Sequence, residues 1–148
     1  MRFFASRQQV AALRVAAVAL AMGAMSACMM FSKPPKDLDL SRTRASASGL
    51  LRATIEPRGD TIPRNRLHVW TLHLETAAGA PLDSARIAVD GGMPQHGHGL
   101  PTKPVARALG QGDYAVEGMK FNMGGWWVVK FRVQSAAGAD SVVFNLSL

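Results

Sequence analysis

The sequence predicts an all-β fold, an immunoglobulin-like β-sandwich of about seven short antiparallel strands over residues 49–148. Three observations lead there. Apolar and polar residues alternate in short runs, the runs are separated by Gly/Pro/Asp turn clusters, and no stretch beyond the N-terminal segment has a helical period. Leu51, Ala53 and Ile55 alternate with Arg52, Thr54 and Glu56, and Pro57 ends that strand. Leu67 to Glu75 is apolar at most positions, as a central strand is. Ala85, Ile87 and Val89 mark the next strand, Tyr114 and Val116 another. Trp127, Val129, Phe131 and Val133 share one face of a longer strand, and Val142, Phe144, Leu146 and Leu148 alternate in the last. Gly112-Asp113-Tyr114 has the form of a tyrosine corner, in which the phenol bonds backbone near a crossover between sheets.

The first 27 residues read as a lipoprotein signal peptide and are set apart from the fold. Arg2, Arg7 and Arg14 precede the uncharged run Val15 to Ala27, which ends in Met25-Ser26-Ala27-Cys28. Small residues before a cysteine suit cleavage ahead of a lipidated Cys28. An uncleaved signal anchor and an ordinary secretory signal are the alternatives; the apolar run to Phe31 is about 17 residues, at the lower edge for a membrane span. All three export the domain. Cys28 is the only cysteine, so no internal disulfide forms and acylation accounts for the thiol. Residues 28–48, with Ser32-Lys-Pro-Pro-Lys36 and a Ser/Ala/Arg-rich stretch, read as a flexible tether. The absence of Asp after Cys28 favours the outer membrane over the inner, with the domain facing the periplasm.

The net charge of +7 comes from 17 basic and 10 acidic residues; without Arg2, Arg7 and Arg14 it falls to +4. A domain this mildly basic gives no argument for a nucleic-acid partner. Enzymatic constellations are missing. There is no Gly-x-Ser-x-Gly elbow, no paired carboxylate motif and no phosphate loop in a strand–loop–helix context. The expectation is a protein that is not an enzyme.

Chemistry concentrates in Gly91 to Thr102 and Gly118 to Trp127. His96 and His98 are two apart, which in an extended segment puts both imidazoles on one side. Met93, Met119 and Met123 are the nearest soft donors. A His/Met set without thiols or clustered carboxylates points to copper before zinc or calcium. The competing view is structural: a Gly-rich turn with its imidazoles on carbonyls, and methionines filling core space. His68 and His73 differ in strand parity and read as structural; Trp126 and Trp127 face opposite sides.

Together these segments resemble the YtkA-like and FixH-like envelope domains. The matching residues are Met93, Pro94, His96, His98 and Gly99, then Gly112 and Tyr114, then Met123, Gly125 and Trp127. The resemblance spans roughly residues 50–148. It implies an exported immunoglobulin-like sandwich, and for some members copper handling or respiratory-oxidase assembly. The expected partners are the membrane, through the lipid, and an envelope copper protein or oxidase-assembly protein. A metal-free interaction module docking through the 91–104 loop is the alternative.

Overall fold

The computed structural model describes residues 33–59 and 61–148; the stretch read as a signal peptide, and Cys28 after it, lie outside them. Nine strands make up the domain: β1 (Thr43–Ala45), β2 (Leu51–Pro57), β3 (His68–Thr76), β4 (Arg86–Met93), β5 (His98–Gly99), β6 (Val105–Gly110), β7 (Asp113–Met119), β8 (Trp126–Ser135) and β9 (Gly138–Ser147). All strand pairs are antiparallel. They run β1-β2-β3-β7-β6-β4-β8-β9, with β5 folded onto β4. The β6–β4 step rests on one pair, Ala88 with Val105. The path therefore bends there into two layers, β1-β2-β3-β7-β6 and β4-β8-β9. Among the described residues there is no helix long and apolar enough to cross a membrane.

The period-two alternation explains which side chains fill the interior. Leu51, Ala53 and Ile55 of β2, Trp70, Leu72 and Leu74 of β3, and Tyr114 and Val116 of β7 are buried from one layer. Trp127, Val129, Phe131, Val133, Val142, Phe144 and Leu146 meet them from the other. Burying each large side chain contributes about 1.5–3 kcal/mol, and no disulfide adds to that total. Phe131 packs edge-on against Phe144 with centroids 6.0 Å apart. β3 is central as expected, with β2 on one side and β7 on the other.

Three strands differ from the sequence expectation. The tether was expected to run to residue 48, yet Thr43, Arg44 and Ala45 pair with Thr54, Ala53 and Arg52. β1 is short and largely exposed, and its backbone bonds leave no hydrophobic period. The long Gly/Pro/His connection contains β5 and β6. β6 exposes Val105 and Leu109, so it lacks the alternation that marks a half-buried strand.

Tyr114 holds the crossover from β3 to β4. Its buried hydroxyl donates to the Leu82 carbonyl at 2.6 Å and accepts from the Ala85 N–H at 2.9 Å. Gly112 is indispensable to the approach. Its φ is +82°, and a Cβ there would lie 2.5 Å from the Leu74 carbonyl oxygen. Its N–H donates to Asp83 Oδ1 at 2.6 Å, and its carbonyl accepts from the Leu74 N–H at 2.7 Å.

A second tie closes the sandwich between the chain before β2 and β9. Buried Ser46 accepts from the Leu51 N–H at 3.0 Å and donates to Asp140. Asp140 also accepts from the Ser48, Leu50 and Ser141 amides. The Ser46 hydroxyl first, and the Ser141, Ser48 and Leu50 amides with it, lower the Asp140 pKa to about 2 against the opposing effect of desolvation.

Two predictions follow from these ties. Tyr114→Phe strands the Ala85 N–H and the Leu82 carbonyl, at a cost of about 1–3 kcal/mol; the urea midpoint should fall with an unchanged slope, and a wild-type midpoint would contradict this. For Asp140 the folded pKa is depressed. Its stabilisation is therefore present above the unfolded value of 3.8 and lost as pH falls towards about 2. Asp140→Asn should flatten the loss of stability between those pH values. Equal acid profiles for variant and wild type would show that the tie does not contribute.

Candidate functional site at the hairpin end

β4 does not stop at Val89. It runs on to Met93, turns through Pro94–Gly97, and returns as β5. Gly92 pairs with Gly99, and Met93 with His98. The His96 N–H donates to the Met93 carbonyl at 3.1 Å, and the Leu100 N–H to the Gly91 carbonyl at 2.9 Å. The segment is thus a β-hairpin, which corrects the expectation of an extended loop. Gly92 makes the return possible, since a Cβ there would sit 2.2 Å from the His98 carbonyl oxygen.

The turn brings the imidazoles together by another route than spacing along an extended chain. His96 and His98 are both exposed, and their rings stack with centroids 5.9 Å apart and planes 19° apart. Metal–nitrogen bonds of about 2 Å place each ring centroid about 3 Å from a shared ion. The centroid separation is no larger than twice that distance, and a turn of one ring out of the stacked arrangement is needed to aim both nitrogens at one ion.

The three methionines have separate fates. Met93 is the cross-strand partner of His98. It is buried, and its methyl packs beneath the backbone of Gly125, 3.0 Å from where a Cβ would stand. Both Met93 and His98 line an open groove of about 390 Å³, with Asp90, Pro94, Val128 and Lys130 among its walls. Met119 is fully buried on β7, opposite His68 of β3, and so belongs to the other layer. Met123 is 37% exposed, and its carbonyl accepts from the Trp127 indole N–H at 3.1 Å. The structure thus brings His96 and His98 side by side on the turn, buries Met93 against Gly125, and gives Met119 different neighbours. Trp127 is buried and Trp126 is turned outward to Asn145, where its Nε1–H donates at 3.1 Å.

Other polar groups near the hairpin are committed elsewhere. Asp90 accepts from Arg132 at 3.1 Å and from its neighbour's amide, Gly91 N–H, at 2.8 Å. His73 is 2.6 Å from Asp113 on the outer face of β3–β7. Among the described residues no three of His, Cys, Asp and Glu converge on one point. A larger hollow of about 630 Å³ lies on β4, β8 and β9 beside Arg86, Lys130 and Arg132. No histidine or methionine lines it, so it is not where the His/Met chemistry sits.

One group escaped the sequence reading. His68 shares strand parity with Trp70, Leu72 and Leu74, and its Nε2 is buried without a hydrogen-bond partner. The shared parity was the available signal. The pairing with β7 shifts register between His68 and Trp70, which no sequence pattern announces.

A family model for YtkA-like domains matches residues 54–132, more than half of the chain. No curated protein and no solved structure gives a match. The matched span runs from β2 into β8 and includes the hairpin, Gly112 and Tyr114, and the segment up to Trp127. The chain belongs to the YtkA-like family.

Proposed function

We propose that this chain is an envelope-anchored accessory lipoprotein that binds copper at the β4–β5 hairpin, as a chaperone, a buffer or a respiratory-oxidase assembly factor. The observation that carries the reading is the stacked His96–His98 pair at an exposed turn, with Met93 across the strand from His98. The imidazoles supply nitrogen donors to either copper state, and the thioether adds a soft donor that favours Cu(I). A thiol-free set binds Cu(I) in an oxidising compartment without forming disulfides. Membership of the YtkA-like family supports an exported accessory role, and the N-terminal segment supports export with a lipid on Cys28.

A second reading draws on the open groove beside the hairpin. There Val128 and Met93 line the groove together with the cross-strand pair Asp90 and Lys130, as in a small docking site for an envelope protein. In that reading the histidines shape the turn and bind no metal.

Two outcomes are expected. Cys28→Ser should shift the protein from the membrane to the soluble fraction or leave it unprocessed; unchanged fractionation and gel mobility would favour a signal anchor. His96→Ala with His98→Ala should abolish the hairpin's share of Cu(I) binding in chelator competition while the circular dichroism spectrum stays β-type. Binding should also weaken towards acid pH, because protons compete for the ring nitrogens. Should the double variant bind as wild type does, the hairpin is not a ligand site and the docking reading replaces it.

A further inference from the structure

His68 opens β3, and its ring is wired differently from that of a surface histidine. Nδ1 lies 3.1 Å from the Arg66 carbonyl oxygen. A carbonyl only accepts, so Nδ1 carries the proton and the neutral ring presents a bare lone pair at Nε2. Among the described residues nothing bonds to that lone pair, and the atom is shut off from solvent. The Trp70 indole N–H is buried and unpartnered as well, with its ring centroid 6.2 Å from that of His68. Phe121 packs against both rings, its centroid 5.6 Å from that of His68 and 5.8 Å from that of Trp70. Met119 is fully buried and is the cross-strand partner of His68, so its side chain projects to the same face.

A histidine that ties one nitrogen to a backbone carbonyl and aims the other into the protein has the arrangement of a metal ligand. The donors available are one imidazole and one thioether, and the walls are aromatic. Such a set is soft, and the surrounding π-faces attract a single positive charge. A hard dication would find no carboxylate here. We propose that His68 Nε2 and the Met119 thioether form a buried site for a soft monovalent cation, Cu(I), for which Ag(I) is a redox-inert probe. This site lies on the β3–β7 pair and is independent of the hairpin on β4. It stands or falls whether or not His96 and His98 bind metal.

The test uses the full-length chain in detergent with His96→Ala and His98→Ala, which silences the hairpin. Ag(I) is titrated while tryptophan fluorescence and the 15N shift of His68 Nε2 are followed. One equivalent should bind, quench the Trp70 emission and move the Nε2 resonance. Adding Met119→Leu, which nearly conserves volume, should weaken that binding on the order of tenfold or more with the fold retained. His68→Gln should act in the same direction; where it unfolds the protein, Met119→Leu decides. The proposal is overturned if the folded hairpin variant binds no Ag(I), if Met119→Leu binds as tightly as its parent, or if the Nε2 shift does not move. The last result would point instead to a water linking the Trp70 N–H to His68. Loss of all Cu(I) and Ag(I) binding with the hairpin pair would support the hairpin site and overturn this one. An equivalent that survives the hairpin pair and is lost with Met119→Leu supports this site and leaves the hairpin reading to its own test.

Discussion

The pairing of β4 with β8 governs the functional end of the domain. Seven consecutive residue pairs, from Arg86–Gln134 to Gly92–Val128, hold β4 in register against the strand that carries Trp127, Val129 and Phe131. A slip of one residue would turn every side chain of β4 to the other face. With the register held, Met93 goes inward beneath Gly125, and the chain must reverse immediately beyond it. Gly91 and Gly92 accept the close approach of Val128 and His98 backbone oxygens, which a Cβ would block. The exposure of His96 and His98 is therefore a consequence of core registry. The interior takes Met93, and the turn that follows has nowhere to place its imidazoles but outside.

This division of roles makes one methionine both packing and donor. A buried thioether costs little in an apolar core, because sulfur is polarizable and carries no strong hydrogen-bonding demand. Met93 thus contributes to stability irrespective of metal, while its cross-strand position keeps it beside His98. Met119 is in the same situation opposite His68. Burial alone does not distinguish a core methionine from a ligand. The discriminating feature is a lone pair left without a partner in the interior, and among the described residues His68 Nε2 has that feature.

The legibility of the fold follows from how far each strand depends on side chains. β2, β8 and β9 each bury one face and carry period-two alternation in the sequence, β3 is marked by its largely apolar run, and the Tyr114 hydroxyl bonds the β3–β4 crossover as Gly-Asp-Tyr predicts. β1 and β6 depend on backbone bonds at sheet edges, where exposed side chains carry no pattern. The candidate site was legible in composition more than in geometry. The His-Gly-His and Met-rich segments were identifiable, but an extended chain and a hairpin give the same residue list. Only the Gly92–Gly99 and Met93–His98 pairs separate the two. The sequence offers Met119 to the hairpin as a soft donor from a neighbouring strand. The partner strand of β7, not distance along the sequence, decides its neighbours.

The two orphaned ring nitrogens bear on how the domain balances stability against chemistry. An unpaired buried polar atom costs about 1–3 kcal/mol, and a domain of this size without disulfides has little stability to spare. Replacing the His68 ring by an apolar side chain would remove one such cost, and Phe at position 70 would remove the other. The fold keeps both, side by side, walled by Phe121 and backed by Met119. Trp70 has a packing reason to remain, since it is fully buried at the centre of the apolar cluster. His68 has none of comparable weight: it is half-buried at the strand's first position, and Leu or Phe would meet Phe121 equally well. With the proton fixed on the far nitrogen, the lone pair at His68 Nε2 is left free for the proposed cation.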